Sequence, residues 1–216
     1  LYSRGYSTLF GEWQTTNEAK KTWRTLSETV VFPYPKMAVR VELYSRNWDG
    51  IFEKKFEYTV DPKNYFIKKD RRHIFPTIEL LNSGDPAVKT DVVILPDGYT
   101  EAEMELFKTD CQTFADHFFI FDPYTGNKDK FNVHAVLAPS AGSGTDIPAD
   151  GVWINTIMNT SFYTFDSERY CMTFDDKSVR DLAANAPYDQ IYILVNSAKY
   201  GGGAIFNYYN VSVNSN

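Results

Sequence analysis

Residues 91–104 read Asp91-Val-Val-Ile-Leu-Pro-Asp-Gly-Tyr-Thr-Glu-Ala-Glu-Met104, and this stretch decides the fold. Its apolar start is short and continuous, which is typical of a strand buried on both faces. The Pro-Asp-Gly-Tyr segment that follows favours a turn. Thr100 and Glu103 then have the spacing of a capping box, in which each side chain satisfies an early backbone donor of a helix. The stretch therefore predicts a strand, a turn and a helix in succession.

The pattern continues as an alternation of strands and helices. Apolar residues recur three or four positions apart along the predicted helix, which ends near Phe121; they are Met104, Phe107, Cys111, Phe114 and Phe118. Apolar runs at 131–138 and 190–196 predict two further strands, and residues 175–184 predict a second helix between them. Strands separated by helical crossovers predict a mainly parallel sheet.

The first ninety residues have a different pattern. Residues 37–44 and 52–60 alternate apolar and polar side chains around an Asp-Gly turn, which predicts an antiparallel pair with one solvated face. Residues 16–26 predict a short helix ahead of these strands. Two or three strands are marginal alone, so we expect this module to belong to an incomplete β-sandwich.

A break at residues 82–86, Asn-Ser-Gly-Asp-Pro, predicts a domain boundary. We therefore expect an α+β or α/β chain of two domains. Residues 1–86 form the small, antiparallel, sandwich-like module, and residues 87–216 form an α/β domain with a mainly parallel sheet.

Charge and composition argue against nucleic acid as the main partner and against a membrane-spanning helix. The formal net charge of −6 argues against a nucleic-acid backbone as the main partner. The charged block at 68–73 is short, so we interpret it as an exposed loop. No apolar run approaches the roughly 20 residues of a membrane helix. The first residue is Leu1, and no signal peptide is visible, so either its removal or a start inside the native sequence fits.

The chain has two cysteines, Cys111 and Cys171. Cys111 falls on the apolar face of the predicted helix, which favours a buried free thiol. A disulfide between the two cysteines is the alternative.

Few residues are arranged for chemistry. None of the three histidines, His73, His117 and His134, lies four residues from another, so no pair of imidazoles shares one helix face. The loop at 142–146 lacks both the five-residue nucleophile elbow and the Gly-Lys-Ser/Thr ending of a phosphate loop. Asp97, at the carboxyl end of a predicted strand, is the best-placed acid. It is either a turn residue or a substrate contact.

A glycine triplet, Gly201-Gly202-Gly203, follows the last predicted strand. Glycine weakens a strand, so three in a row indicate a bend or a place where another backbone approaches closely. The triplet is a plausible position for a substrate.

Five stretches, taken in order, resemble the IgA peptidase family of bacterial zinc metallopeptidases. They are residues 91–104, Asp129-Lys-Phe-Asn-Val-His134, Pro139-Ser-Ala-Gly-Ser-Gly-Thr145, Ala186-Pro-Tyr-Asp-Gln190 and Val195-Asn-Ser-Ala-Lys-Tyr-Gly-Gly-Gly-Ala204. Residues 10–19 and 32–35 resemble the N-terminal accessory domain of the same family, so the resemblance covers nearly the whole chain.

The resemblance implies an exported endopeptidase with a zincin-like catalytic domain and a protein or peptide substrate. In this family a His-Glu-x-x-His helix follows the glycine-rich strand; its imidazoles hold zinc and its glutamate is the general base. That pattern does not occur in residues 1–216. We therefore assign no catalytic or metal-binding residue, and we expect zinc only in a complete protein of which this chain is an inactive piece.

The resemblance also implies a role for the glycine triplet. In zincins an edge strand pairs with the extended substrate through backbone hydrogen bonds. We therefore expect Gly201, Gly202 and Gly203 to admit the substrate backbone, with Asp97 as a further candidate contact.

Two other functions remain open. The first is an exported, non-catalytic module that binds protein or glycan through its aromatic-rich β domain. The second is a hydrolase-like or nucleotide-binding enzyme that uses the loop at residues 142–146.

Overall fold

A computed structural model describes residues 2–70 and 73–214, and it shows an α+β fold. The strands are β1 (Val39–Arg46), β2 (Phe52–Val60), β3 (Thr77–Leu81), β4 (Thr90–Asp97), β5 (Phe131–Val136), β6 (Gln190–Val195), β7 (Gly202–Ile205) and β8 (Tyr209–Val213). The α-helices are α1 (Leu9–Trp13), α2 (Met104–Phe118) and α3 (Asp176–Ala183). Within the described residues, no helix combines the length and the apolar character that crossing a membrane requires.

The chain divides into two compact units. The larger unit contains residues 3–29 and the chain from residue 73 onward, and the smaller contains Tyr2 and residues 30–70. The predicted boundary at residue 86 differs from this division. β3 precedes that boundary, yet it pairs with β5 in the sheet of the larger unit, because pairing across the sheet outweighs the local break in the sequence.

The smaller unit is built on one antiparallel pair, β1 and β2, which confirms the predicted pairing. Its register runs from Val39 opposite Val60 to Arg46 opposite Phe52, with an irregularity after Leu43. The described residues of this unit form no second sheet of the kind that a sandwich requires.

The predicted helix at residues 16–26 is wrong. The helical turn lies earlier, at α1, where the Thr8 side chain accepts a hydrogen bond from the Gly11 N–H at 3.2 Å. Leu9 and Trp13, one turn apart, are both buried. Thr16 is also buried, and its hydroxyl bonds back to the Trp13 carbonyl, which turns the chain after α1.

The larger unit contains a six-stranded sheet with the order β3-β5-β4-β6-β8-β7. The three central pairs are parallel, and the two outer pairs, β3 with β5 and β7 with β8, are antiparallel. The prediction of a mainly parallel sheet is confirmed. β7, which contains two of the three glycines, is an outermost strand.

Both faces of the sheet are covered, as the apolar run after Asp91 predicts. Val92 and Ile94 belong to the core under α2, together with Phe107 and Cys111. Val93 and Leu95 point to the other face and pack in the core that includes Val179 and Leu182 of α3. The capping box is confirmed, since Glu103 Oε2 accepts from the Thr100 N–H at 2.8 Å and from the Thr100 hydroxyl at 2.7 Å.

The positions of the two cysteines lead to a prediction about thiol chemistry. Cys111 and Cys171 are free, fully buried and in the two cores on opposite faces of the sheet. Burial, with a smaller contribution from Asp97, raises the pKa of Cys171 to about 12, and burial raises the pKa of Cys111 well above its ordinary value. Because the thiolate is the reactive form, we expect neither cysteine to react with a disulfide reagent such as DTNB in the folded protein.

Unfolding in guanidinium chloride without reductant should release both thiols to the same reagent. A titration that still finds fewer than two thiols after unfolding would show a disulfide and contradict this arrangement.

Candidate functional site

The carboxyl ends of the central parallel strands lie together at one end of the sheet. Asp97 of β4 is opposite Val195 of β6, which in turn is opposite Val213 of β8. β7 runs antiparallel to β8, so Gly202, opposite Ser212, lies at the same end. This end of an open α/β sheet is where ligands commonly bind. It therefore holds both sets of residues that the sequence singles out, Asp97 and the glycine triplet.

Asp97 is fully buried, and both of its carboxylate oxygens are occupied. Oδ1 accepts from the Met158 N–H at 2.8 Å. Oδ2 accepts from the Thr156 hydroxyl at 2.9 Å, from the Thr160 N–H at 3.0 Å and from the Thr160 hydroxyl. Burial raises the pKa of this carboxyl, and the hydrogen bonds from Thr160, Met158 and Thr156 oppose that rise.

These contacts give Asp97 a structural role, because four donors from residues 156–160 fix that segment to the end of β4. A direct contact with substrate stays a prediction. Sequence reasoning identified the acid but not its partners, because nothing in the local pattern of residues 156–160 indicates that they fold around a carboxylate.

A second polar cluster joins three loops at the same end of the sheet. Glu103 Oε1 accepts from the Ser143 hydroxyl at 2.8 Å and from the Asn196 side-chain amide at 3.2 Å. Burial alone would raise the pKa of Glu103, but the hydrogen bonds from Thr100, Ser143 and Asn196 outweigh it and lower the pKa. The carboxylate is therefore ionised and acts as a common acceptor.

Gly98, in the turn after β4, allows the loop at 142–146 to approach this turn closely. Gly98 has a φ of +74°, and a side chain there would collide with the Gly144 carbonyl. The Gly144 N–H donates to the Gly98 carbonyl at 2.9 Å. Among the described residues, Ser143 has carboxylate and amide partners and none from histidine, so its contacts do not favour the hydrolase-like alternative.

Each glycine of the triplet contacts the chain's own atoms. A Cβ at Gly201 would lie 2.5 Å from both the Arg169 carbonyl oxygen and the Phe162 ring. Gly202 has a φ of +136°, and a Cβ there would lie 2.5 Å from the Val211 carbonyl oxygen. A Cβ at Gly203 would collide with the sulfur of Met172. The close approach predicted from the triplet therefore exists, and residues 162–172 fill much of that space; a substrate contact there stays a prediction.

The outer side of β7 is only partly covered. The Gly202 N–H donates to the Arg169 carbonyl at 3.0 Å, and the Gly202 carbonyl accepts from the Cys171 N–H at 3.3 Å. Farther along, the Phe206 carbonyl accepts from the Ser7 N–H at 3.0 Å. Alternate residues of an antiparallel strand point their backbone groups to the same side. Ala204 therefore directs its N–H and C=O outward, and it is exposed, with no hydrogen-bond partner on that side among the described residues.

Histidine side chains do not come together. His73 Nδ1 lies 3.0 Å from the Asn185 carbonyl, and His117 Nδ1 lies 2.9 Å from the Thr113 carbonyl on its own helix. His134 is buried, with Nε2 3.4 Å from Asp91 Oδ1. Across residues 2–70 and 73–214, no group of three or more His, Cys, Asp or Glu side chains is arranged to hold a metal. The described donor sets therefore do not fit a zinc ion.

Comparison with known proteins gives two matches to family models. The model described as IgA Peptidase M64 matches residues 78–216, and the model described as Peptidase M64 N-terminus matches residues 1–57. No curated protein sequence matches the chain significantly. The first match alone covers well over half of the chain and includes both Asp97 and the glycine triplet.

The substitution Asp97→Asn tests the structural role of the carboxylate. An amide nitrogen at either position would face a hydrogen-bond donor, so we expect a loss of about 2–4 kcal/mol in the free energy of unfolding. Urea unfolding measures this loss. The matched control is Asp116→Asn, because Asp116 is exposed on α2 and, within the part of the chain that the structure describes, accepts only from Gln112. Equal unfolding midpoints for the two variants would contradict the role of Asp97.

Proposed function

Because the chain belongs to the IgA peptidase M64 family, we propose that it forms part of an exported, zinc-dependent endopeptidase that acts on proteins or peptides. The proposal places the zinc-binding His-Glu-x-x-His helix in sequence beyond residue 216. Export and zinc dependence rest on the family resemblance. The observation that carries the proposal is the partly free outer strand β7 at the carboxyl end of a sheet that matches the peptidase model.

An outermost strand with free backbone groups suits a peptide substrate. An extended peptide adds to such a strand through main-chain hydrogen bonds, and pockets along the strand select its side chains. Ala204 offers one N–H and one C=O for this purpose. In this proposal Gly201, Gly202 and Gly203 allow residues 162–172 to pack closely against the start of β7, and the peptide pairs beside this segment, at Ala204.

The metal has to be held by residues outside the described part of this chain, because the described donor sets do not fit it. What this chain contributes is therefore binding and alignment. Asp97 fixes residues 156–160 at the end of β4, and the adjoining segment reaches Gly202 through Cys171. The buried carboxyl group of Asp97 in this way positions the segment that covers Gly202, and with it the open edge of β7 at Ala204, which we call the substrate edge.

One observation favours a second function, the binding of protein or glycan without catalysis. The smaller unit exposes aromatic side chains far more than a folded core would, with Trp48 at 101% of its reference area, Tyr65 at 84% and Phe66 at 77%. Tyr and Trp side chains are enriched at interfaces, because each combines an apolar ring with a polar group. The two functions differ in one measurable property, the hydrolysis of a substrate.

The complete gene product should bind zinc and hydrolyse an unfolded protein such as casein. We expect 1,10-phenanthroline to abolish the hydrolysis and added zinc to restore it, because the reaction requires the metal. Elemental analysis should find zinc in the complete protein and none in the chain of residues 1–216. Hydrolysis that the chelator leaves unchanged, or stoichiometric zinc in this chain alone, would contradict the proposal. Absence of hydrolysis would favour the binding function.

The substitution Ala204→Pro tests the substrate edge in the complete protein. Proline removes the outward N–H of Ala204, and outer strands tolerate proline where the N–H is not part of the ladder. Loss of one substrate hydrogen bond should lower kcat/KM for a peptide by about three- to tenfold. Ala204→Ser keeps the N–H and serves as the control. If both variants fold with the same thermal midpoint and the same kcat/KM, the edge at Ala204 does not bind substrate.

A further inference from the structure

An open cleft of about 430 Å³ lies beside the amino end of β7. It is lined by Ser167, Glu168, Arg169, Lys199 and Tyr200. Both of its walls are joined to the glycine triplet. Tyr200 directly precedes Gly201, and the Arg169 carbonyl accepts the hydrogen bond from the Gly202 N–H. The cleft therefore lies in line with the outer side of β7, beyond residues 169–171, which pair with Gly202.

Of the two cationic side chains that line the cleft, Lys199 has an ion-pair partner and Arg169 has none among the described residues. Lys199 Nζ lies 2.8 Å from Glu168 Oε1, and it also lies over the rings of Phe162 and Tyr163. Asp150 is a further carboxylate whose field acts on Lys199. Arg169 is exposed, and its guanidinium lies 5.2 Å from the centre of the Tyr170 ring. Within the described part of the chain, that guanidinium has no hydrogen bond and no ion pair.

The backbone that carries Arg169 is held in an unusual conformation. Tyr163, Phe165 and Asp166 have positive φ angles of 61°, 56° and 59°. Bulky L-residues rarely adopt this region, and such strain concentrates at functional sites where surrounding contacts enforce it. Here the Thr164 N–H donates to the Tyr170 carbonyl at 3.2 Å, and Asp166 accepts from the Asn17 N–H at 2.8 Å. The hydrogen bonds of Asp166 and Tyr170, which precede and follow Arg169 in the sequence, therefore hold Arg169 next to Gly202.

Resting on the proposed role of β7, we propose that this cleft binds an acidic side chain of the peptide and that Arg169 is the specificity-determining residue. A guanidinium has a planar fork of donors that matches a carboxylate. A peptide paired at Ala204 that continues toward Gly202 moves roughly 6.6 Å over two residues. It then meets Cys171, because residues 169–171 run parallel to β7 beside Gly202 and Arg169 lies on the far side, toward Gly201. The peptide therefore has to cross over this segment to enter the cleft. A glutamate or aspartate that follows the crossing faces the guanidinium of Arg169, which has no ion-pair partner among the described residues.

The test is a binding measurement that needs no catalysis. The probes are fluorescein-labelled alanine hexapeptides with one glutamate at each position in turn, and the same set with glutamine. Anisotropy at low salt should show the glutamate peptide with the favoured position binding about two- to fivefold more tightly than its glutamine partner, as expected for an exposed ion pair. The preference should weaken at high salt, because salt screens exposed charges.

Variants identify the residue responsible. Arg169→Gln should remove the preference for glutamate over glutamine, and Arg169→Glu should reverse it in favour of lysine peptides. Lys130→Gln is the control, because Lys130 is an exposed cation that precedes β5 at the opposite end of the sheet. Equal affinity of wild type for glutamate and glutamine peptides, or a preference that survives Arg169→Gln, would overturn the inference.

The outcomes separate this inference from the proposed peptidase function. Failure to bind any peptide would overturn both the substrate edge and the acidic cleft. Chelator-sensitive hydrolysis by the complete protein would still support the peptidase in that case. Conversely, a glutamate preference without hydrolysis would retain the cleft and remove the catalytic role.

Discussion

A buried carboxylate needs donors around both oxygens, and Asp97 obtains all of its donors from residues 156–160. From there, contacts continue to the edge of the sheet. Thr160 is followed by Ser161, whose N–H donates to the Met172 carbonyl at 2.9 Å, and Cys171 pairs with Gly202. One buried carboxyl group at the end of β4 thus determines where the segment over the glycines lies. Asp97 and the glycine triplet are therefore connected through residues 156–161 and 171–172, although the sequence indicates each of them separately.

Local sequence patterns predict those elements whose signals are themselves local. The buried strand β4, the capping box of Thr100 and Glu103 and the apolar side of α2 all follow from residues within one or two turns of each other. The carboxyl edge of the sheet follows from the alternation of strands and helices. The partners of Asp97, the covering of Gly202 and the pairing of Ser7 with Phe206 join residues far apart in sequence, and no local period encodes them.

Contacts between residues far apart in sequence also determine where the amino-terminal residues 3–29 fold. Leu9 is buried in the core of the larger unit, and Thr29 and Tyr208 both donate hydroxyl hydrogen bonds to Asp176 at the start of α3. Residues 3–29 therefore fold with the chain that matches the peptidase model, although the N-terminal family model includes them. The family models and the compact units therefore divide this chain at different places. A family model describes a segment that related sequences share, whereas a compact unit is defined by the residues that pack together.

The partial covering of β7 also bears on solubility. A long, bare outer strand is a template for pairing with other copies of the same protein and hence for aggregation. Segments on either side of Ala204 shorten the bare part to a single residue. One pair of backbone groups offers a neighbouring molecule too few hydrogen bonds for a shared sheet. The segments that cover β7 on both sides of Ala204 therefore limit self-association through this strand.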